Sequence, residues 1–369
     1  MKKKRVTARD VAQRAGVSTT TVSMILNGHD DTKFPEKTCR KVLDACEALG
    51  YVHRNSFKAT EADNRVLVAI VPSLSNLYYV SMAEAMQQKA RELGYSLLIF
   101  DTFRDIQQEN RIMSICSQSP FGGILVLYPM ENSLLLHQTG WNKPIIHIYD
   151  KNAHKNGDIL EFDSFRTGTM IGEHLIHLGH ERISFLSANL ESKQVARIQR
   201  LEGLQTAYRD HGFDPMVCVA ACTPELEHLA EVTTSEGYEL GYLLAKRLID
   251  RHENVTAFVG SNDMIALGAM DAVLDAGKRV PNDYSICGCG NASVTKYRGI
   301  SLTSVECYAI QSGREAVDML VRKLEGYAAA EDEPGGITRI EYFPKLIVRK
   351  STGPRRKASV AESSSKQRK

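Results

Sequence analysis

Hydroxyl side chains are concentrated in one short stretch near the N-terminus of this 369-residue chain. The run STTTVSMILNG places five of them within six positions, at Ser18, Thr19, Thr20, Thr21 and Ser23. A hydroxyl group donates and accepts hydrogen bonds, so it can bond to a base edge in the major groove or to a phosphate oxygen. The stretch therefore predicts a polar, uncharged surface suited to contact with a nucleic acid.

Three short helices are predicted around this stretch. Thr7 and Asp10 have the spacing of a capping box at the start of the first helix, and Gly16 can end that helix. Ser18 can cap the second helix, and a third is expected to follow Pro35. Three helices over about 45 residues can enclose a small core from which the second helix projects. A generic three-helix bundle without a nucleic-acid partner is the alternative.

The charges are distributed unevenly along the chain. Residues 1–60 contain 12 Lys and Arg against 6 Asp and Glu, whereas the remainder contains 34 against 38. A basic N-terminal part on an acidic body favours an anionic partner for that part alone, and nucleic acid is the first candidate. A solvated basic tail is the alternative.

Membrane, metal and catalytic roles are not indicated. No apolar run approaches the roughly 20 residues of a membrane span, and no apolar region follows the basic MKKKR, which predicts a cytoplasmic protein without a membrane partner. The eight cysteines form no CxxC pair and are expected to be reduced apolar residues. The series His174, His177 and His180 is weak evidence for a metal site. No nucleophile–base set stands out, so we predict neither a metal, a cofactor nor an enzyme.

From residue 66 onward, apolar runs alternate with helical segments. The runs read as buried parallel strands and are VLVAIVP, YSLLIF, GGILVLYP, PIIHIYD, RISFLS, VTAFVG and YSICGCG. Gly94, Gly179, Gly212 and Gly277 are expected to end helices before the next strand. The alternation predicts an α/β fold of doubly wound parallel sheets, with enough strands for two sheets.

Polar residues follow several of these strands. In such sheets a ligand binds outside the carboxyl ends of the strands. Arg200 offers a fork of donors for hydroxyl groups or a carboxylate, although an ion pair between lobes is the alternative. The predicted ligand-binding residues are Ser73, Asn76, Tyr79, Asp150, Asp163, Arg200, Asn262, Asp263 and Asn291.

Six segments of the chain carry a family resemblance. ARDVAQRAGVSTTTVSMILNG, followed by EKTCRKVLDACEALGY, resembles the DNA-binding head of the lactose-repressor/galactose-repressor family. EHLIHLGHERISFLS, RLEGLQTAYRDHGF, SNDMIALGAMDAVLDAGKRVPNDYSICG and PKLIVRKSTG resemble its two-lobed periplasmic-binding-protein-like domain. The resemblance covers roughly residues 5–353. It implies a helix-turn-helix head, a hinge and a regulatory domain.

The resemblance also implies roles for residues of the head. Those matching Thr19, Thr20 and Met24 face bases, and those matching Ser18 and Thr21 approach phosphates. The family usually has Arg where this chain has Met24, and Met cannot make the bidentate contact of Arg with guanine, so a different operator is expected. The predicted DNA-binding residues of the head are Thr7, Ser18, Thr19, Thr20, Thr21, Ser23, Met24 and Asn27.

The hinge departs from the family pattern. Family members insert a hinge Leu into the minor groove, but residues 52–64 contain no Leu. Phe57 is the bulky apolar residue that could take its place, while Arg54 and Lys58 could contact phosphates. A flexible tether without insertion is the alternative.

Two departures concern the ligand. In the family the residues matching Arg200 and Asn262, and those after the GCG strand, reach the effector. The family usually has a ligand-binding Asp where this chain has Gly290, and an aromatic residue where this chain has TTSE before Gly237. A non-sugar ligand, or control by a partner protein, is therefore an alternative to a carbohydrate-like effector.

The sequence thus predicts a transcriptional regulator, most simply a repressor, that binds a palindromic double-stranded DNA operator as a homodimer. The absence of a leucine heptad at the C-terminus favours a dimer over a tetramer. A solute-binding protein is a further alternative. The predicted parts are a head at 1–51, a hinge linker at 52–64, an effector-binding and dimerisation domain at 65–353 and a disordered tail at 354–369.

Overall fold

The structure, a computed structural model, describes residues 7–26, 34–49, 51, 65–130, 143–150, 158–188, 190, 195–213, 217–221, 237–326 and 336–355. The chain divides into two compact units, Met1–Thr60 and Glu61–Lys369. The predicted hinge at 52–64 and residues 356–369 of the predicted tail lie outside the described residues. No helix in the described ranges is long and apolar enough to cross a lipid bilayer.

The first unit contains the three predicted helices, α1 (Ala8–Ala15), α2 (Thr19–Leu26) and α3 (Glu36–Leu49). At the start of α1 the Asp10 carboxylate accepts hydrogen bonds from the backbone N–H and the hydroxyl of Thr7, both at 2.7 Å. Gly16 ends α1 with φ +68°, a left-handed conformation that costs glycine little. The chain then turns directly into α2.

A small apolar core holds the three helices together. Its buried members are Val11, Ala12, Ala15, Val22, Val42 and Ala45. Val22 is the fully buried residue of α2, so this helix is anchored by one face while its hydroxyl-rich face stays outside.

The second unit contains two six-stranded sheets. The strands of the first sheet are β1 (Val66–Val71), β2 (Ser96–Asp101), β3 (Gly123–Val126), β4 (Ile145–Asp150), β5 (Asp158–Phe162) and β11 (Arg339–Tyr342). Those of the second are β6 (Ile183–Ser187), β7 (Val217–Ala221), β8 (Ala257–Gly260), β9 (Ser285–Gly290), β10 (Thr303–Glu306) and β12 (Lys345–Ile347). The first sheet has the order β11–β5–β4–β3–β1–β2, and all its pairs are parallel. The second has the order β12–β10–β9–β8–β6–β7, with β12 antiparallel to β10.

Helices cover the sheets and complete two lobes. The first sheet packs with α4 (Leu77–Glu92), α5 (Ile106–Gln118) and α10 (Ala309–Leu324). The second packs with α6 (Ser164–His177), α7 (Val195–Asp210), α8 (Tyr238–Asp250) and α9 (Asp263–Asp275). Within the described ranges the chain passes between the lobes after β5, after β10 and after β11. The predicted doubly wound α/β fold with two sheets is confirmed.

Candidate DNA-binding surface and ligand cleft

The start of α2 is fixed by its own hydroxyl groups. The Thr21 N–H donates to the Ser18 oxygen at 3.0 Å, and the two hydroxyl groups lie 2.8 Å apart. Ser18 therefore caps α2 as its sequence position predicted. Thr19, Thr20 and Ser23 are exposed.

The other predicted DNA-binding residues have different surroundings. Thr7 is exposed at the start of α1, whereas Met24 is half-buried. Asn27, Arg54, Phe57 and Lys58 lie outside the described residues. The described head also exposes basic side chains that suit phosphate contacts, namely Arg9, Arg14, Lys37, Arg40 and Lys41.

Replacing Thr20 with alanine should relax base preference while leaving general DNA affinity almost unchanged. The exposed hydroxyl is removed without touching the core, and one lost hydrogen bond to a base costs about 1 kcal/mol, or roughly fivefold in discrimination. Competition binding with a set of single-base operator variants measures this. Thr38→Ala, which makes the same change on α3, is the matched control. An equal loss across all sequences for Thr20→Ala would exclude a base-reading role.

A cleft of about 160 Å³ lies where the carboxyl ends of both sheets meet. The predicted residues Asn76, Tyr79, Arg200 and Asn262 all line it. The first lobe also contributes Tyr78, Arg104, Leu127, Tyr128, Pro129, Ile148, Tyr149 and Phe162. The second lobe adds Ser164, Thr167, Val195, Ala196, Arg197, Ser261, Cys289, Gly290 and Cys307.

Arg200 lines the cleft, and two of its hydrogen bonds hold it in place. Its Nη1 donates to the backbone oxygen of Ser261, and its Nη2 donates to the Ser164 hydroxyl at 3.3 Å. Ser164 begins α6 and Ser261 follows β8, so Arg200 joins two elements of the second lobe while lining the cleft.

Asn76 and Asn262 are both helix caps. The Asn76 side-chain oxygen accepts from the Tyr78 N–H at 3.0 Å at the start of α4. The Asn262 side-chain oxygen accepts from the Ile265 N–H at 2.9 Å at the start of α9. Each cap uses one lone pair of the amide oxygen, and the NH₂ group of each side chain is a donor that can meet a ligand.

Asp263 and Asn291 belong to a buried network beside the cleft. Asp263 is 3% exposed, and its carboxylate accepts from the Ser304 hydroxyl at 2.6 Å and the Ala292 N–H at 2.8 Å. The Asn291 amide donates to Glu306 at 2.7 Å and accepts from Arg349. Both predicted residues face a second cavity of about 170 Å³ that shares Asn76 and Asn262 with the cleft. Their polar atoms are engaged within the protein.

Two further predicted ligand-binding residues, Ser73 and Asp163, are described by the structure and do not line the cleft. Ser73 is buried and its hydroxyl lies 2.7 Å from that of Ser75. Asp163 caps α6 by accepting from the Arg166 N–H at 2.8 Å. Asp150 ends β4, and its side chain lies outside the described part of the structure.

Asp263 should make stability depend on pH. Burial raises its pKa from 3.8 to about 6. The folded protein therefore binds this proton more tightly than the unfolded chain, and the resulting stability, complete below pH 3.8, is lost as pH rises through about 6. We expect the difference in unfolding free energy between the wild type and Asp263→Asn to fall by about 1 kcal/mol between pH 5 and pH 7.

Urea unfolding followed by circular dichroism at four pH values between 5 and 7 measures this difference in unfolding free energy. Asp210→Asn, which changes an exposed carboxyl group, is the matched control. Parallel pH profiles for the wild type and Asp263→Asn would show that the buried carboxyl does not titrate there.

Gly290 occupies the position where the resemblance leads one to expect an aspartate. Its φ is +126°, and a Cβ atom would lie 3.2 Å from the Asp263 carboxylate. A side chain at this position would therefore be strained and crowded. The Asp263 carboxylate already fills the space behind β9.

Several cysteines and histidines of the second lobe contact neighbouring groups of the protein. The Cys289 and Cys307 sulfurs lie 3.7 Å apart, and this contact together with burial raises the pKa of Cys307. His174 contacts Thr352 at 3.0 Å, and His180 contacts Thr256 and Gly353 at 2.9 and 3.0 Å. No group of three or more potential metal ligands occurs in the described ranges.

Most residues that line the cleft were not predicted from the sequence. Arg104 follows β2 and sits 5.1 Å from the centre of the Tyr128 ring, although the two are far from any recognisable motif. Their position along the chain could have identified three of the aromatic lining residues. Tyr128, Tyr149 and Phe162 all lie at or just beyond the carboxyl ends of strands, where ligands bind in such sheets. Arg197 could have been found from its spacing of three residues from Arg200 on one helix.

Two family models match the chain. One, described as bacterial regulatory proteins of the lacI family, matches residues 7–54. The other, described as a periplasmic binding protein-like domain, matches residues 173–352. Together they cover more than half of the chain, and they correspond to the head and to a large part of the two-lobed unit.

Curated relatives match over nearly their full length. The HTH-type transcriptional repressor PurR of Mannheimia succiniciproducens is 28% identical over 349 residues, which are 94% of this chain and 98% of that protein. The HTH-type transcriptional regulator DegA of Bacillus subtilis is 28% identical over 355 residues, covering 95% and 99%. These relatives are transcriptional regulators rather than enzymes.

A solved structure of the lac repressor dimer bound to operator and the anti-inducer ONPF has the same fold. It aligns with a TM-score of 0.64 at 22% identity, covering 95% of this chain and 100% of that chain. The two family models and the full-length relatives point to the same kind of protein. The chain therefore combines the DNA-binding domain of the lacI family of bacterial regulatory proteins with a periplasmic-binding-protein-like domain, and its full-length relatives are transcriptional regulators.

Proposed function

We propose that this regulator is a repressor that binds a pseudo-palindromic operator as a homodimer, and that a small molecule in the cleft changes its affinity for that operator. The observation that carries the proposal is α2. It is capped by Ser18, anchored by buried Val22, and presents exposed Thr19 and Thr20. A short helix of this kind fits the major groove, and its hydroxyls can bond to base edges or phosphates.

Dimerisation follows from how little DNA one such helix can read. α2 has eight residues, and a single recognition helix contacts only a few base pairs. Two copies related by a twofold axis would read two half-sites about one helical turn apart. The related PurR and lac repressor, whose names describe a repressor and an operator-bound dimer, support this reading.

Control by a ligand is supported by the cleft. It lies between lobes joined by three chain passages, and residues from both lobes line it. A molecule that contacts both lobes favours one relative arrangement of them, and it can shift DNA affinity by no more than its own difference in affinity for the two states. In this proposal the head is 1–51, the hinge is 52–64 and the regulatory domain is 65–353.

The proposed roles also indicate where the protein acts and which cofactors it requires. A regulator of this kind acts in the cytoplasm, where the DNA is, and it needs no metal or other cofactor. Its side chains serve binding rather than catalysis.

Selection from a random-sequence DNA pool at two salt concentrations tests the proposal. The purified full-length protein should enrich an inverted repeat, with two chains per duplex by light scattering and an affinity that falls steeply with salt. The head variant Val22→Asp, which disrupts the buried anchor of α2, should enrich nothing. Failure of the wild type to enrich any sequence, or salt-independent binding, would refute the proposal.

A further inference from the structure

We propose that the ligand of the cleft is a small organic anion with a planar ring, rather than a neutral sugar. The inference rests on the proposed function of the cleft as the effector site. The proposed ligands share a planar ring that carries a carboxylate or phosphate group. Four features of the cleft lining support this class of ligand.

The first feature is charge. Arg104 approaches the cleft from the first lobe, and Arg197 and Arg200 approach it from one face of α7 in the second. All charged side chains among the described lining residues are these arginines, and none is Asp or Glu. Guanidinium groups pair with carboxylate and phosphate oxygens in bidentate fashion.

The second feature is the convergence of helix N-termini. The caps of α4 and α9, Asn76 and Asn262, line the cleft, as do the first residues of α6 and α7, Ser164 and Val195. Helix N-termini carry partial positive charge and favour anions. Because helices follow the carboxyl ends of parallel strands in both lobes, their N-termini add to the field of the three arginines.

The third feature is an excess of hydrogen-bond donors. The side-chain oxygens of Asn76 and Asn262 are engaged as caps, and the Ser164 oxygen accepts from Arg200. The Ser261 hydroxyl is buried, with 2% of the residue exposed, and no described group bonds to it. A ligand rich in acceptors would bond to these donors. Sugar hydroxyls also donate, and they would find few acceptors here.

The fourth feature is the aromatic wall. The ring of Tyr78 lies 5.2 Å from that of Tyr79 and 6.1 Å from that of Phe162, centre to centre. The Tyr128 hydroxyl donates to Glu109 at 2.6 Å, and the Tyr149 hydroxyl contacts His147 at 2.9 Å. Because these hydroxyls are bonded within the protein, Tyr128 and Tyr149 offer ring surface to the cleft, which suits a planar ligand.

Calorimetric titration of the full-length protein with matched ligand pairs tests the proposal. One series pairs aromatic and heteroaromatic carboxylates with their primary amides. A second pairs aryl phosphates and nucleoside monophosphates with their neutral parents, and free pentoses and hexoses form a third set. In at least one of the first two series we expect the anion to bind about 30-fold more tightly than its neutral partner.

Arg104→Gln and Arg197→Gln should each reduce that preference about tenfold, whereas Arg209→Gln, at the exposed end of α7, should leave it unchanged. Equal binding of anion and neutral partner, tighter binding of a free sugar, or no binding in either anionic series would each overturn the proposal. The series that binds distinguishes carboxylate from phosphate.

DNA binding by the same preparation separates the two proposals. Intact binding to the selected operator with no anion preference would overturn the ligand class and leave the regulator standing. Anion binding without any operator binding would do the reverse. Thermal unfolding of each variant establishes that it is folded.

Discussion

Replacing Arg200 with alanine should abolish the response to the ligand and leave operator affinity intact. Arg200 lines the cleft and bridges Ser261 and Ser164, so its loss removes a charged donor from the ligand and two contacts within the second lobe. Removing one partner of a buried, hydrogen-bonded charge pair costs roughly 3 kcal/mol, or more than about 100-fold in the Kd of the ligand. Calorimetry with the tightest anion of the panel measures that loss, and operator release measures the response.

Two further variants separate ligand contact from lobe stability. Arg200→Lys keeps the charge but loses the planar fork, so it should bind the ligand with intermediate affinity. Arg209→Ala, on the same helix at an exposed position, is the control for the loss of an arginine from α7. Unchanged ligand affinity and operator release in Arg200→Ala would remove this residue from the binding site.

Replacing Gly168 with valine should strongly disrupt the packing of α6 against α7. A Cβ atom at this position of α6 would lie 1.9 Å from the backbone oxygen of Arg200 and 2.8 Å from the Leu204 nitrogen on α7. Gly203 makes the reciprocal approach, since its Cβ atom would lie 1.9 Å from the Phe165 backbone oxygen. The two helices therefore touch backbone to backbone, and a larger residue must separate them.

Overpacking of this kind costs about 3 kcal/mol of unfolding free energy, and it displaces the turn that carries Arg200. We expect a lower unfolding midpoint in urea and at least tenfold weaker ligand binding, measured by calorimetry at about 10 °C, close to the temperature at which proteins are typically most stable. Gly299→Val makes the same change where no atom lies within 4 Å of the added Cβ, and it should retain both properties. Wild-type stability in Gly168→Val would contradict the close packing of α6 and α7.

The sequence predicted the parts of the fold that carry strong local signals. β1 is buried along five of its six residues, and its apolar run VLVAIV reads as a strand without further information. Gly94, Gly179, Gly212 and Gly277 all adopt positive φ at or just beyond helix ends, as predicted. Helix stops are recognisable because glycine is the residue that tolerates this conformation.

Short edge strands gave no such signal. β11 has four residues and β12 has three, and both are half-exposed. β11 pairs with β5, and the Arg339 guanidinium lies 3.3 Å from the buried Glu161 carboxylate. From the sequence alone Glu161 would be expected at the surface, because its partner Arg339 lies far along the chain. Non-local pairing therefore limited the prediction of β5, β11 and β12.

The same limit applies to the cleft. Asn76, Tyr79, Arg200 and Asn262 were predicted because they follow strands or match a family pattern, and they line one cavity. Asp263 was predicted on the same grounds, but tertiary packing directs its carboxylate to Ser304 and the Ala292 N–H. Position along a strand indicates which end of a sheet a residue occupies, whereas side-chain direction depends on neighbours from distant segments.

The most direct test of a ligand-controlled repressor is whether operator and ligand affect each other's affinity equally. The Kd of the tightest anion should be measured by calorimetry with and without the selected operator duplex, and the Kd of the operator with and without the anion. For a ligand-controlled repressor the two ratios should agree, at about 5- to 100-fold, because coupling between two binding sites is reciprocal. Ligand affinity that is the same with and without operator would contradict it, because the cleft would then have no part in controlling the DNA-binding head.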